Sequence, residues 1–179
     1  FTEDCAKFLY TAVQNNLENA VELLVTDGVD VNKKSTEFGK MSPPIFLATR
    51  SGYFRILETL LQAEMKPEVT FNNQNLLHVV CHHFNNTSVK MSSRNPSVDY
   101  EKCFNLLIDV CDVNESDDLG CTPLHYAVRY RNDEAIKALL NKSSYIGAAN
   151  NFGEVPVGDM SRDVFEDFLD GCITTNVRK

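Results

Sequence analysis

The sequence predicts an all-α solenoid, built from helix–turn–helix units stacked side by side. Three observations predict it. The run Thr122-Pro123-Leu124-His125-Tyr126-Ala127 is a helix start of a particular form. A leucine followed by Leu or Val falls at residues 24, 60, 106 and 139, so one amphipathic helix recurs with gaps of 36, 46 and 33 residues. Gly120 and Pro123 are echoed 33 residues later by Gly153 and Pro156. A steady period of about 33 residues marks an array whose units cannot bury an apolar face alone and must stack to do so.

The best-formed unit opens at Asp118. Thr122 is placed to cap a new helix by meeting a backbone N–H that has no partner inside it. Pro123 takes the first helical position, where a missing N–H costs nothing. Gly120 allows a turn that residues with a Cβ resist. Leu124 and Ala127 face one side, with Ala small enough for a close neighbour. This is the opening of an ankyrin repeat. The second half of that repeat, a Leu-Leu helix followed by a turn ending in Asp-Val-Asn, stands at Leu24–Asn32 and again at Leu106–Asn114. The same pattern places helices at Asp4–Gln14, Glu18–Thr26, Pro44–Ser51, Phe54–Ala63, Leu76–Phe84, Tyr100–Asp109, Pro123–Arg129 and Asp133–Asn141. In the outer helices, Ala20, Leu23 and Leu24, or Ile136, Leu139 and Leu140, recur at helical spacing.

Four repeats are expected over residues 1–149, at about 1–34, 35–69, 70–116 and 117–149, joined by short β-turn fingers. Asp112 to Thr122 is the standard ten residues, whereas Asp30 to Pro43 is thirteen, so the first loop carries three extra. The third repeat holds an insertion at 85–99, rich in Asn, Ser and Lys, that cannot bury a core. Its Ser88, Ser92, Ser93 and Ser97 beside Lys90 and Arg94 form a phosphorylation candidate, though a plain loop insertion explains them as well. Residues 150–179 read as a C-terminal capping repeat and a junction to a downstream segment. Ser161 is placed to cap its helix, Val164, Phe165, Phe168 and Leu169 form an apolar face, and Glu166, Asp167 and Asp170 a polar one. At the other end, Phe1, Cys5, Phe8 and Leu9 give the first helix no polar cap, which implies that the chain is a fragment of a longer array.

With 25 acidic against 17 basic residues the net charge is −8, which argues against nucleic acid or an anionic membrane as partner. No apolar run approaches the ~20 residues that cross a bilayer, so no membrane insertion by this fragment is expected. Six cysteines with no CxxC pair, in a chain with an ample apolar core, imply reduced thiols.

Candidate chemistry is sparse. His78 and His125 hold the histidine position of the repeat, where an imidazole hydrogen-bonds a neighbouring loop and ties adjacent units. Cys81-His82-His83 looks most like a metal cluster, but adjacent helical residues point about 100° apart and share an ion poorly. Cys121 precedes a helix N-terminus, which favours a thiolate, yet it reads better as a small turn residue. No nucleophile elbow, P-loop or zinc-protease motif is present; neither enzyme activity nor a metal or cofactor is expected. The expected interaction surface comprises Lys34, Glu37 and Phe38 on one finger, Asp117 and Leu119 on another, and Arg50, Arg129 and Tyr130 near inner-helix ends.

The C-terminal third carries a more specific likeness. Ala127–Asn132, Leu139–Gly147, Phe152–Met160 and Phe168–Asn176 form one block, and its Leu169-Asp170-Gly171-Cys172-Ile173-Thr174-Thr175-Asn176 tail is not an ankyrin element. The block resembles the last repeats and junction of insect ankyrin-type TRP (TRPA) cation channels, the painless- and pyrexia-like group. The likeness covers about residues 100–176, the first two repeats matching only as generic units. It implies a cytoplasmic regulatory domain at the plasma membrane, in a homotetrameric, calcium-permeable channel that responds to heat, force or irritants. It also implies partners that are other proteins or other parts of the same channel. A soluble ankyrin scaffold or inhibitor is the alternative.

Overall fold

The computed structural model describes residues 2–32, 42–63, 73–84 and 98–176. Among them are nine α-helices: α1 (Thr2–Gln14), α2 (Glu18–Thr26), α3 (Pro44–Ser51), α4 (Phe54–Gln62), α5 (Leu76–His83), α6 (Tyr100–Leu107), α7 (Pro123–Arg129), α8 (Asp133–Asn141) and α9 (Arg162–Asn176). One 3₁₀ turn spans Pro156–Asp159. No strand occurs among the described residues; an isolated bridge joins Tyr53 and Val98. The predicted helix ends lie within two residues of the observed ones. Lys34, Glu37, Phe38 and residues 85–97 of the insertion lie outside the described residues.

The helices form two layers. α1, α3, α5, α7 and the 3₁₀ turn pack in sequence as the inner layer, while α2 packs on α4, α4 on α6 and α8 on α9 in the outer layer. The core runs unbroken between the layers, from Leu9 and Val13 through Ile45, Leu57, Leu77 and Leu107 to Leu124, Leu139 and Val164. The inner helices are seven to eight residues long after α1 and would be marginal alone; stacking on both sides is what holds them. Leu76 to Cys81 in α5 are all buried, because this helix has neighbours on three sides.

Two apolar stripes are covered only in part. In α2 the buried residue is Val21, and Leu23 is 66% exposed. Among the described residues no helix packs on the far side of α2, so only one stripe is covered. In α9, Val164 is buried, Phe165 and Phe168 are half-buried, and Leu169 is 41% exposed, because α9 packs on α8 along one face only.

Two glycines shape the backbone. Gly52 ends α3 in the left-handed region at φ 71°, and a Cβ there would meet the Tyr100 ring at 3.1 Å. Gly120, at φ 73°, would place a Cβ 2.7 Å from Asn151 Oδ1 and 3.0 Å from its backbone nitrogen. Its smallness therefore lets successive fingers touch, in addition to permitting the turn.

Candidate functional site

Two polar systems link repeat three, repeat four and the cap. The first is the fingers. Asp117 Oδ1 accepts the N–H groups of Leu119 and Cys121, each at 2.9 Å. One period later, Asn150 Oδ1 accepts those of Phe152 and Glu154, each at 3.0 Å. The backbones match too: Asp117 N–H donates to the Cys121 carbonyl at 3.0 Å, and Asn150 N–H to that of Glu154 at 2.9 Å. A short carboxylate or amide at this position replaces the hydrogen bonds a longer hairpin would make. The fingers then join each other. Asn73 Nδ2 donates to the Asp118 carboxylate, Asn151 Nδ2 donates to the Asp118 carbonyl at 3.0 Å, and Asn151 N–H donates to the Leu119 carbonyl at 2.9 Å.

Asp117 is therefore mostly internal, at 8% exposure. Its Oδ2 also accepts the Tyr126 hydroxyl at 2.6 Å, and Gln74 Nε2 donates to Tyr126 Oη at 2.7 Å. Burial alone would raise the Asp117 carboxyl, but these hydrogen bonds outweigh it and hold the group below its ordinary value. Burial and the carboxylate together push the Tyr126 phenol up. Of the two finger residues named from sequence, Leu119 presents its side chain outward at 44% exposure, whereas Asp117 spends its oxygens on the turn.

The second system is the pair of repeat histidines. Thr122 N–H donates to His125 Nδ1 at 3.0 Å, within a reciprocal cap at the start of α7. Because Nδ1 accepts, the neutral ring carries its proton on Nε2, and that nitrogen faces the Glu154 carbonyl of the next unit at 3.2 Å. His78 repeats the arrangement at α5: Asn75 N–H to Nδ1 at 3.1 Å, and Nε2 to the Cys121 carbonyl at 2.9 Å. Each histidine thus caps its own helix and ties it to the following finger, as the sequence predicts. Burial lowers the His78 pKa below its ordinary value.

The exposed chemistry lies at the C-terminal ends of the inner helices. His82 and His83 close α5, Tyr130 caps α7, and Tyr100 opens α6. Their rings form a near-parallel row. Tyr130 stacks on His82 with centroids 4.6 Å apart, His82 on His83 at 4.7 Å, and His83 faces Tyr100 at 6.3 Å. Tyr126 flanks the row, 6.1 Å from His82. This corrects the expectation that His82 and His83 diverge. Their Cβ vectors do, but flat rings at a helix end can fold back to stack, and each gains a tyrosine face by doing so. Burial, then His82, then Arg50, lower the His83 pKa to about 4; burial lowers that of His82. Both are neutral at pH 7.

Arg50, Arg129 and Tyr130 all belong to this surface. Arg50, exposed in the last turn of α3, receives the Tyr100 hydroxyl on its carbonyl at 2.8 Å. Arg129 pairs with Glu154 at 3.0 Å, with both side chains about half exposed, a contact worth little in itself. The ring row is what sequence reasoning missed. Its members are spread from residue 82 to 130, and only the stacking of units brings them together. Among the described residues no group of three or more His, Cys, Asp or Glu is placed to hold a metal. Cys5, Cys81, Cys103, Cys111 and Cys121 are free thiols. Burial pushes Cys103 and Cys111 up to about 12, so neither is a thiolate at neutral pH. Cys121 is buried, with Asn150 Nδ2 at 3.4 Å from its sulfur, which fits a turn residue. No described helix is long and apolar enough to cross a membrane.

Repeated fingers, histidine ties and two helical layers define a repeat solenoid. The ankyrin-repeat family, in three copies, matches residues 45–152, and the chain belongs to that family. It is also similar to the transient receptor potential cation channel protein painless of Drosophila melanogaster, at 30% identity over 177 residues, 97% of this chain and 18% of that protein. It is similar as well to the transient receptor potential cation channel subfamily A member 1 homolog of Caenorhabditis elegans, at 40% identity over 53 residues, 30% of this chain and 4% of that protein. The likeness to such channels thus extends beyond the C-terminal block to nearly the whole chain. The chain spans less than a fifth of the length of either relative.

Proposed function

We propose that this chain is the ankyrin regulatory and interaction domain of a TRPA-type, calcium-permeable sensory cation channel, on the cytoplasmic side of the plasma membrane. The observation that carries the reading is similarity to a channel protein along 97% of the chain, with the finger-to-finger contacts in the part nearest the tail. In this reading the domain binds and couples; it does not conduct. The intact channel is a homotetramer opened by heat or another noxious stimulus. The array transmits load because each unit touches only its neighbours, and the polar ties between Gln74 and Glu154 stiffen the end that feeds α9. Its partners are other proteins or other parts of the channel, met through Leu119, Arg50, Arg129 and Tyr130, together with Lys34, Glu37 and Phe38. Reading the transcript beyond the Lys179 codon tests the proposal. Downstream membrane spans around a pore are expected; a product with none would leave a soluble ankyrin scaffold instead.

A further inference from the structure

We propose that the inner-helix ends around the ring row, from Arg50 through Tyr100, His83 and His82 to Tyr130 and Arg129, dock an acidic, carboxylate-bearing segment of a protein partner. Three observations carry this. First, the charges of the chain are sorted. It has 25 acidic residues against 17 basic, yet no Asp or Glu lies on α3, α5 or α7, and the arginines Arg50 and Arg129 stand in the last turns of α3 and α7. Lys102 and Arg131 are exposed beside them. The face is therefore positive within an acidic molecule, and a field of that sign draws carboxylates.

Second, hydrogen-bond donors stand open there. Arg50 is exposed, and among the described residues no carboxylate pairs with its guanidinium and no group hydrogen-bonds it. Its carbonyl takes the Tyr100 hydroxyl proton, which holds that ring at the α3 end of the row. Its charge reaches two of the rings. Burial, Cys103 and Tyr53 raise the Tyr100 phenol while Arg50 pulls it down, and Arg50 acts on His83 after burial and His82. A guanidinium presents five N–H donors in a plane that matches a carboxylate, two bonds at a time. At the other end, Arg129 meets Glu154 through Nη2, with both side chains about half exposed.

Third, the row between the two arginines does not repel an anion. His82 and His83 are neutral at pH 7, each with one N–H donor, and the near-parallel rings offer flat faces to the methylene stems of Asp and Glu. A short segment suits this face better than a lipid surface or a nucleic acid. Both of those extend past it and would meet Asp133 and Glu134 on α8 and Asp163 on α9. This partner class rests on Arg50, Arg129 and Tyr130 being an interaction surface, not on a channel following the domain. A transcript without membrane spans would leave the binding below unchanged, and absent binding would leave the channel reading intact.

The test uses the 179-residue chain and three labelled synthetic peptides of equal length, alternating glycine with Glu, Ser or Arg. Affinity is read by fluorescence anisotropy at about 0.15 M salt, where diffuse surface attraction is screened. The Glu peptide should bind most tightly, and Arg50→Gln should weaken it ~tenfold by removing charge-assisted hydrogen bonds. Arg162→Gln, on α9, makes the same change in net charge away from the row and should weaken it less than ~twofold. Equal binding of the three peptides, a preference for the Arg peptide, unchanged affinity in Arg50→Gln, or an equal loss in Arg162→Gln would each overturn the proposal. Tighter binding to phosphatidylserine vesicles than to the Glu peptide would assign the face to a membrane and overturn it too. The ring-proton resonances of His82 and His83 in the unaltered chain give a second measure, independent of variant folding. They should shift on adding the Glu peptide, and unchanged resonances at saturation would also overturn it.

Discussion

The Tyr126 hydroxyl donates to the Asp117 carboxylate at 2.6 Å, binding an inner helix to the finger that precedes it. Gln74, from the unit before, completes the contact. Tyr126→Phe keeps the ring and deletes only the donor. A hydrogen bond to a charged group contributes about 2 kcal/mol, and the urea midpoint should fall by that equivalent. An unchanged midpoint would mean that the two backbone N–H groups on Oδ1 suffice.

The two histidine ties should behave alike. His78→Ala strands the Asn75 N–H and the Cys121 carbonyl; His125→Ala strands the Thr122 N–H and the Glu154 carbonyl. Each should cost about 2–3 kcal/mol in denaturant unfolding. His78 should sit at the upper end, because it is fully buried whereas His125 is 6% exposed.

Gly120 and Gly153 form an internal control. Both have positive φ, 73° and 78°, but only Gly120 has a neighbour within reach of a Cβ. Gly153→Ala should cost about 1–2 kcal/mol for the left-handed backbone alone. Gly120→Ala should cost more and should speed amide exchange in Phe165–Phe168 by loosening the Asn150–Glu154 finger beneath the cap. Exchange there that matches the unaltered chain would separate the finger from the junction.

Three histidines give stability a defined pH dependence. His78, His82 and His83 all bind protons more weakly in the fold than their ordinary value of 6.5. The unfolded chain therefore holds more protons below that pH, and stability rises with pH. Their contribution is complete above about pH 6.5 and is lost as the pH falls, for His83 down to about 4. Urea midpoints measured downward from about pH 7.5 should decline through this window. In His83→Phe, which keeps a stacking ring but no proton site, the decline should be shallower; the same slope would remove His83 from the account.

Much of the architecture was legible in the residues. Short helices announced themselves by Pro123 at a helix start, by buried stripes such as Ile136, Leu139 and Leu140, and by the 33-residue echo of Gly120 and Pro123 in Gly153 and Pro156. The histidine ties were legible for the same reason, since a feature that recurs with the repeat must serve the stacking. The surface was less so. Asp117 read as a fingertip contact, although the clue to its real place was present: Asn150 stands one period later and holds the same turn. Leu23 recurs at helical spacing with Ala20 and Leu24, yet its 66% exposure shows that burial depends on which helices pack against α2.

What the sequence determined by itself is local and periodic: which residues start helices, which face is apolar, how long a unit is and how units follow one another. These depend on backbone preference and on nearest-neighbour burial, both written within a single repeat. The tertiary structure alone decided that His82, His83, Tyr100 and Tyr130 share one row, that Gly120 lies against Asn151, and that Asp117 faces inward. Those contacts join residues from different units, at distances set by how one helix pair settles on the next, and no spacing along the chain encodes that geometry.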